Sequence, residues 1–301
     1  MHMFHDALVS FAERRVIYML MEVIKDTALD SIKLLPFLYI TYLLIELIEH
    51  KVGEAGRARI GAAKKSGPIW GALFGIIPQC GFSAAASSLY AGRIITIGTL
   101  MAVYLSTSDE MLPILISSSV GITRILHLLL VKAGIAMISG IAIDLVIRDR
   151  RKTADEKHHH HDHEGEQGCE ERLALAALRH TMEVFIYIAG ISFLLNLGIA
   201  AIGEATLAGF FTSIPVLGEF LAALVGLIPN CASSVVITEL YLSGVIGAGA
   251  MMSGLLVNAG VGILVLLRID HDRKETAKIV AALYALGVFW GLVIEMLGVV
   301  F

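Results

Sequence analysis

The sequence predicts an all-α polytopic membrane protein built from two inverted structural repeats, with discontinuous or re-entrant helices meeting near the bilayer midplane. Three observations carry this expectation. The first is composition. Of 301 residues, 56% are hydrophobic and 17% charged, and the mean hydropathy is +0.78. Soluble domains hold about 45–50% apolar and about 25% charged residues. A soluble fold of this size could not cover so much apolar surface, whereas a chain solvated by lipid can. The second is an internal repeat. The two halves align without a gap at an offset of 151 residues over most of their length: Gly67 falls on Gly218, Ile77-Pro78 on Ile228-Pro229, Cys80 on Cys231, Leu89-Tyr90 on Leu240-Tyr241, Gly98 on Gly249 and Gly140 on Gly291. Apolar coincidences come cheaply between membrane segments, but a shared Ile-Pro-x-Cys with Gln79 against Asn230 does not. The third is charge. Lys and Arg gather in 51–66, 148–157 and 268–278, while 203–219 holds Glu204 and Glu219 and no basic residue. Basic loops face the cytoplasm. Residues 203–219 are therefore expected outside, each half crosses an odd number of times, and the repeats are inverted.

Taken in order, residues 1–30 read as an amphipathic segment at the interface, with Phe4, Leu8, Phe11, Val16, Met19 and Met21 among charges. No short apolar core with a small-residue cleavage site marks a signal peptide. Residues 31–147 form the first membrane repeat. Its spans are 32–48, then 67–92 broken by Ile-Pro-Gln-Cys-Gly, then 94–121 interrupted by Ser-Thr-Ser-Asp-Glu and Pro113, then 125–147. Residues 148–177 are a hydrophilic cytoplasmic loop. Residues 178–301 are the second repeat, apolar over 178–202, 216–243, 245–267 and 279–300. A hydrocarbon core of about 30 Å needs roughly 20 apolar residues per helix. The unbroken stretches satisfy this, and the broken ones must be discontinuous helices or re-entrant hairpins. Two countings follow: five helices per half, ten in all, or three full crossings per half with 67–92 and 216–243 re-entrant.

Inverted-repeat transporters bind substrate at helix breaks near the midplane, where freed carbonyls and half-helix ends become ligands. Pro78 and Pro229 each remove an N–H and end a helix. The residues that follow, Gln79-Cys80 and Asn230-Cys231, set two amides and two thiols about the pseudo-twofold axis. The plainer reading of such a cysteine is a small buried hydrophobe. Ser106, Thr107, Ser108, Asp109 and Glu110 interrupt an apolar stretch, and Asn258 aligns with Thr107. Intramembrane carboxylates cost several kcal/mol unless paired, hydrated or metal-bound; the competing reading is an interfacial loop. Asp109, Glu110, His127 and Glu239 are the candidates for proton coupling. Lys132 is expected to snorkel to the interface, and Asp144 and Glu295 to be solvated there. The loop carries His158, His159, His160, His161, Asp162 and His163, a tract that reads as an auxiliary metal-binding segment.

Several classes fall away. No basic stripe with interleaved aromatics points to nucleic acid. Three cysteines without a CxxC pair make neither a disulfide framework nor a thiol oxidoreductase. No enzyme and no prosthetic group is expected. No GxxxxGK[ST] motif is present, so an ion gradient must supply the energy of uphill transport.

The Ile-Pro-Gln-Cys and Ile-Pro-Asn-Cys motifs, the Ser-Thr-Ser-Asp-Glu-Met-Leu-Pro-Ile-Leu segment and the His/Asp/Glu loop together resemble a bacterial family of ten-span heavy-metal exporters, labelled arsenic efflux proteins or manganese transporters. The resemblance runs from about residue 20 to the end of the chain. It implies a multi-pass protein of the bacterial or archaeal cytoplasmic membrane that exports a metal or metalloid. It points to Pro78, Gln79, Cys80, Ser106 to Glu110, Pro229, Asn230, Cys231 and Asn258. Carboxylates, amides and hydroxyls suit hard or borderline divalent cations such as Mn²⁺, and thiols suit Zn²⁺, Cd²⁺ or trivalent arsenic. The reading is a secondary-active exporter of a manganese-like divalent metal, with proton coupling. Arsenite or organoarsenical efflux stands second, and an organic-anion or amino-acid exporter third. The lipid bilayer and the metal are the expected partners, and the oligomeric state is left open, a dimer included.

Overall fold

A computed structural model describes residues 66–108, 110–151, 169–202, 217–269 and 273–301, and most of 20–43. The basic loop at 51–65, Asp109, the histidine tract at 158–163 and the 203–216 connection lie outside the described residues. Every regular element described is an α-helix. The first, α1, comprises the helical residues within 20–43. It is followed by α2 (Gly67–Gly75), α3 (Gly81–Ala91), α4 (Ile97–Ser106), α5 (Met111–Ser117) and α6 (Ile122–Arg151). The second set is α7 (Cys169–Ile202), α8 (Gly218–Gly226), α9 (Cys231–Leu242), α10 (Ala248–Val257), α11 (Gly262–Ile269) and α12 (Arg273–Leu297). From α2 on, each helix of the first set begins within a residue of the point 151 residues before its counterpart. The aligned prolines and glycines thus end and start helices at equivalent places.

Four described stretches are long and apolar enough to cross a membrane: Ile122–Ile147, Ala177–Gly198, Ala248–Ile269 and Arg273–Leu297. The protein is a multi-pass membrane protein. Its outer faces carry Trp70, Phe74, Ile122, Leu130, Ile186, Phe289 and Met296, all exposed, which lipid solvates and water would not. α1 shows why one face turns inward. Val23, Thr27, Ser31, Leu34, Leu38 and Thr41 are buried at three- and four-residue steps, and Met21, Ile24, Ile32 and Ile40 face out.

The centre of the bundle is α4 and α10, which touch each other and are buried along nearly their whole length. α4 packs on α2 and α6, and α10 on α8 and α12, the same scheme in both halves. Lipid gives helices no hydrophobic reason to associate, so close backbone approach must supply the contact. Gly67, Gly71 and Gly75 form the face of α2 that meets Thr99, Val103 and Ser106 of α4.

Asp144 is half-buried and Glu295 exposed, as a solvated position requires for the latter, and both carboxylates also bond to a helix end. Asp144 Oδ1 accepts the Gly98 N–H at 2.9 Å and Oδ2 the Thr96 hydroxyl at 2.6 Å. Glu295 Oε2 accepts the Gly249 N–H at 3.0 Å. Each carboxylate thus caps the N-terminus of the central helix of its own half, where unpaired N–H groups and the helix dipole favour negative charge. Asp144→Ala is expected to cost about 1 kcal/mol. The more exposed Glu295 should cost less on the same substitution. Unfolding in detergent micelles measures both, and an unchanged Asp144→Ala midpoint would refute the cap.

Candidate functional site

The two proline breaks share one local geometry. The Gln79 N–H donates to Ile77 O at 2.7 Å and the Asn230 N–H to Ile228 O at 2.7 Å. Each is a three-residue turn centred on proline, whose fixed φ suits it and whose missing N–H ends the helix before it. The chain resumes as α3 and α9. Asn230 is extended, at φ −149° and ψ 148°, and caps α9 by accepting the Ala232 N–H at 3.4 Å. Its Nδ2 donates to Asn196 Oδ1 at 2.5 Å, and Asn196 Nδ2 donates to Thr27 Oγ1 at 2.8 Å. A polar chain thus ties the second break to α7 and α1. Asn196 and Thr27 escaped sequence reasoning. The available signal was a lone carboxamide inside an apolar span.

Cys80 and Cys231 are each 8% exposed and share one apolar cluster with Leu34, Leu38, Ala84, Val184, Ile188, Val261 and Val265. Both cysteines thus pack against apolar side chains contributed by α1, α7 and α11. Among the described residues, no group of three or more His, Cys, Asp or Glu is placed to hold a metal ion.

The polar interruption after α4 is interior. Ser106, Thr107 and Ser108 are all buried within the protein. Their hydroxyls turn back onto the helix end. Ser106 Oγ donates to Ala102 O at 2.8 Å, Thr107 Oγ1 to Val103 O at 2.7 Å and Ser108 Oγ to Ser106 O at 3.0 Å. With their protons spent on carbonyls, these oxygens are left as acceptors. Glu110 is half-buried at the start of α5. Lys132, expected to snorkel, is instead buried, and its ammonium donates to the Thr107 carbonyl.

In the second half α10 ends at Asn258, with φ −72° and ψ 89°. The Ala259 N–H donates to Val257 O at 2.9 Å, and Asn258 Oδ1 accepts the Gly260 N–H at 3.0 Å. Gly260 sits at φ 53°, a left-handed conformation that glycine adopts without strain. The halves then cross over. α11, which follows this polar break, packs on α3 of the first half, and α9 packs on α5. The seam between α3 and α11 is close: a Cβ on Gly262 would lie 2.8 Å from the Ser83 side chain. Ser87 Oγ lies 2.7 Å from Gly262 O and 2.6 Å from Tyr104 Oη. Each proline-started leg therefore lies on the leg that follows the other half's polar break.

The remaining predicted residues are not part of this arrangement. His127 is exposed near the start of α6, with its ring 5.5 Å from that of Phe301. Glu239 is exposed on α9. A cavity of about 690 Å³ lies apart from the breaks, between α6 and α12, lined mainly by apolar side chains with Glu275 and Lys278 among them.

No family model, no curated protein and no solved structure matches this chain.

Proposed function

We propose that the chain is a secondary-active transporter with inverted repeats, exporting a manganese-like divalent metal from the cytoplasm along a path between the paired breaks. One observation carries the reading. Two polar breaks, equivalent at an offset of 151 residues, are buried where the halves cross over, and two proline breaks at the same offset, Pro78 exposed and Pro229 half-buried, start the helices that pack against the legs following the polar breaks. Irregular backbone at membrane depth is tolerated where it lines a path or is enclosed by protein. The short legs α2, α3, α8 and α9, of 9 to 12 residues, fit discontinuous or re-entrant helices, since 12 residues of helix reach only about 18 Å.

Oxygen acceptors at Ser106, Thr107 and Ser108, with the carboxylates of Asp109 and Glu110 beside them in sequence, suit a hard or borderline divalent cation. The apolar surroundings of Cys80 and Cys231 weigh against a thiol-held arsenite. Asp109 and Glu110 carry proton coupling in this reading, and the His158–His163 tract concentrates metal at the cytoplasmic mouth. An organic-anion exporter is the second reading, since the N-terminal ends of half-helices at such breaks also bind carboxylates.

The test is flux into inside-out proteoliposomes of Mn²⁺, Zn²⁺, Cd²⁺ and arsenite. Mn²⁺ flux is expected to survive Cys80→Ser/Cys231→Ser within about twofold, and to fall about tenfold or more in Glu110→Gln, the scale of one lost charged ligand. Flux of Cd²⁺ or arsenite that vanishes with the thiols would transfer the substrate to the soft-metal class. Absence of any metal flux, with counterflow of a dicarboxylate or amino acid, would establish the anion reading.

A further inference from the structure

Lys132 is the eleventh residue of the span Ile122–Ile147, about 15 Å from its start at 1.5 Å per residue. That places it near half depth in a hydrocarbon core about 30 Å thick. Its side chain is 1% exposed, and the ammonium donates to the carbonyl of Thr107, the residue that ends α4. A helix C-terminus carries partial negative charge on carbonyls with no partner within the helix. Where a membrane helix is broken, such carbonyls are the ligands that hold small cations. Here the hydroxyls of Ser106, Thr107 and Ser108 donate into the same helix end, so the oxygens around the break act as acceptors.

The second half supplies the comparison. The position equivalent to Lys132 is Leu283, 0% exposed in the apolar core. The packing scheme common to both halves is therefore satisfied by an apolar side chain, and the charge answers something particular to the first break. From its depth, its bond to Thr107 and this asymmetry, we propose that Lys132 is a tethered cation. Its ammonium fills a monovalent-cation subsite at the Thr107 backbone carbonyl, so that no free ion is needed at that carbonyl. Removing the side chain opens that subsite to Na⁺ or a small alkylammonium.

The test reads thermal stability of the full-length protein in detergent and needs no knowledge of the transported substrate. Its failure is thus separable from failure of the transport reading. Three proteins are compared in a buffer whose only cation is the bulky N-methylglucamine: wild type, Lys132→Ala and Lys132→Met. Both variants are expected to melt about 5 °C or more below wild type. Addition of NaCl or ethylammonium chloride should restore most of the loss in Lys132→Ala. It should leave Lys132→Met unmoved, because the methionine chain fills the volume without supplying charge. Wild type should respond to neither. A Lys132→Met midpoint equal to wild type would overturn the proposal, since no charge would then be required. So would a Lys132→Ala response no larger than that of wild type, or a Lys132→Ala protein that folds in none of these cations.

Discussion

Gly98→Ala and Gly140→Ala are each expected to destabilise the protein by about 2–4 kcal/mol, at the top of the overpacking range, because the obstruction is backbone. A Cβ on Gly98 would stand 2.2 Å from Gly140 O and 2.4 Å from the Asp144 carboxyl carbon; one on Gly140 would stand 2.5 Å from Gly98 O. A flexible side chain could yield to such a contact, but a carbonyl in a helix cannot. α4 and α6 would have to separate, and the Asp144 cap on Gly98 would go with them. The second half repeats the crossing, with a Cβ on Gly249 2.6 Å from Gly291 O. Gly134→Ala is the control, since nothing lies within 4 Å of its Cβ position on the same α6. It should be neutral or stabilising by up to about 1 kcal/mol through helix propensity. Thermal unfolding in micelles followed by helical circular dichroism measures all three. Equal midpoints for Gly98→Ala and Gly134→Ala would refute the crossing.

The second large effect is at the seam between the halves. Ser87 Oγ lies 2.6 Å from Tyr104 Oη, 2.7 Å from Gly262 O and 2.7 Å from Ser83 O. Each hydroxyl has one proton. The arrangement is consistent when Tyr104 donates to Ser87, and Ser87 donates to one of the two carbonyls. Tyr104 is fully buried in the apolar core. Ser87→Ala strands its hydroxyl and removes the one hydroxyl donor shared by the Gly262 and Ser83 carbonyls, for an expected loss of about 2–3 kcal/mol. Tyr104→Phe removes the phenol oxygen itself and should cost about 1 kcal/mol. The double variant should be no less stable than Ser87→Ala alone, because the stranded group is gone. A double-mutant cycle on unfolding midpoints reads this coupling, and simple additivity would contradict it. Because Gly262 opens α11 just beyond Asn258, loss of this contact should also lower any flux that depends on the second break.

Much of the architecture was legible from local chemistry. Pro78 and Pro229 break helices because proline lacks an N–H and has a fixed φ, whatever surrounds them. The alignment at 151 residues placed equivalent helix starts and ends because the same local causes recur. Composition alone required lipid around the chain, since apolar content is a property of the sequence and not of its folding. The burial of Ser106, Thr107 and Ser108 within the protein follows from the packing of α4 between α2, α6 and α10.

What tertiary structure alone decided was partnership across distance. Asp144 reads as an interfacial acid, and the crossing of α6 and α4 at the glycine pair brings Gly98, 46 residues away, against its carboxylate. Asn196 meets Thr27 across 169 residues, and no periodicity within either helix announces the pair. Lys132 has a chain long enough to reach an interface, and snorkelling is the sound expectation for an isolated helix. The Thr107 carbonyl, freed by a break 25 residues earlier, turns it inward. The two cysteines show the same division. Their equivalence is written in the repeat, but their apolar surroundings come from Leu34, Leu38, Val184 and Ile188 on α1 and α7. The sequence by itself determined the membrane setting, the repeat and the positions of the breaks, because these follow from transfer to lipid and from backbone chemistry. Which polar groups the breaks meet was decided only when the helices packed.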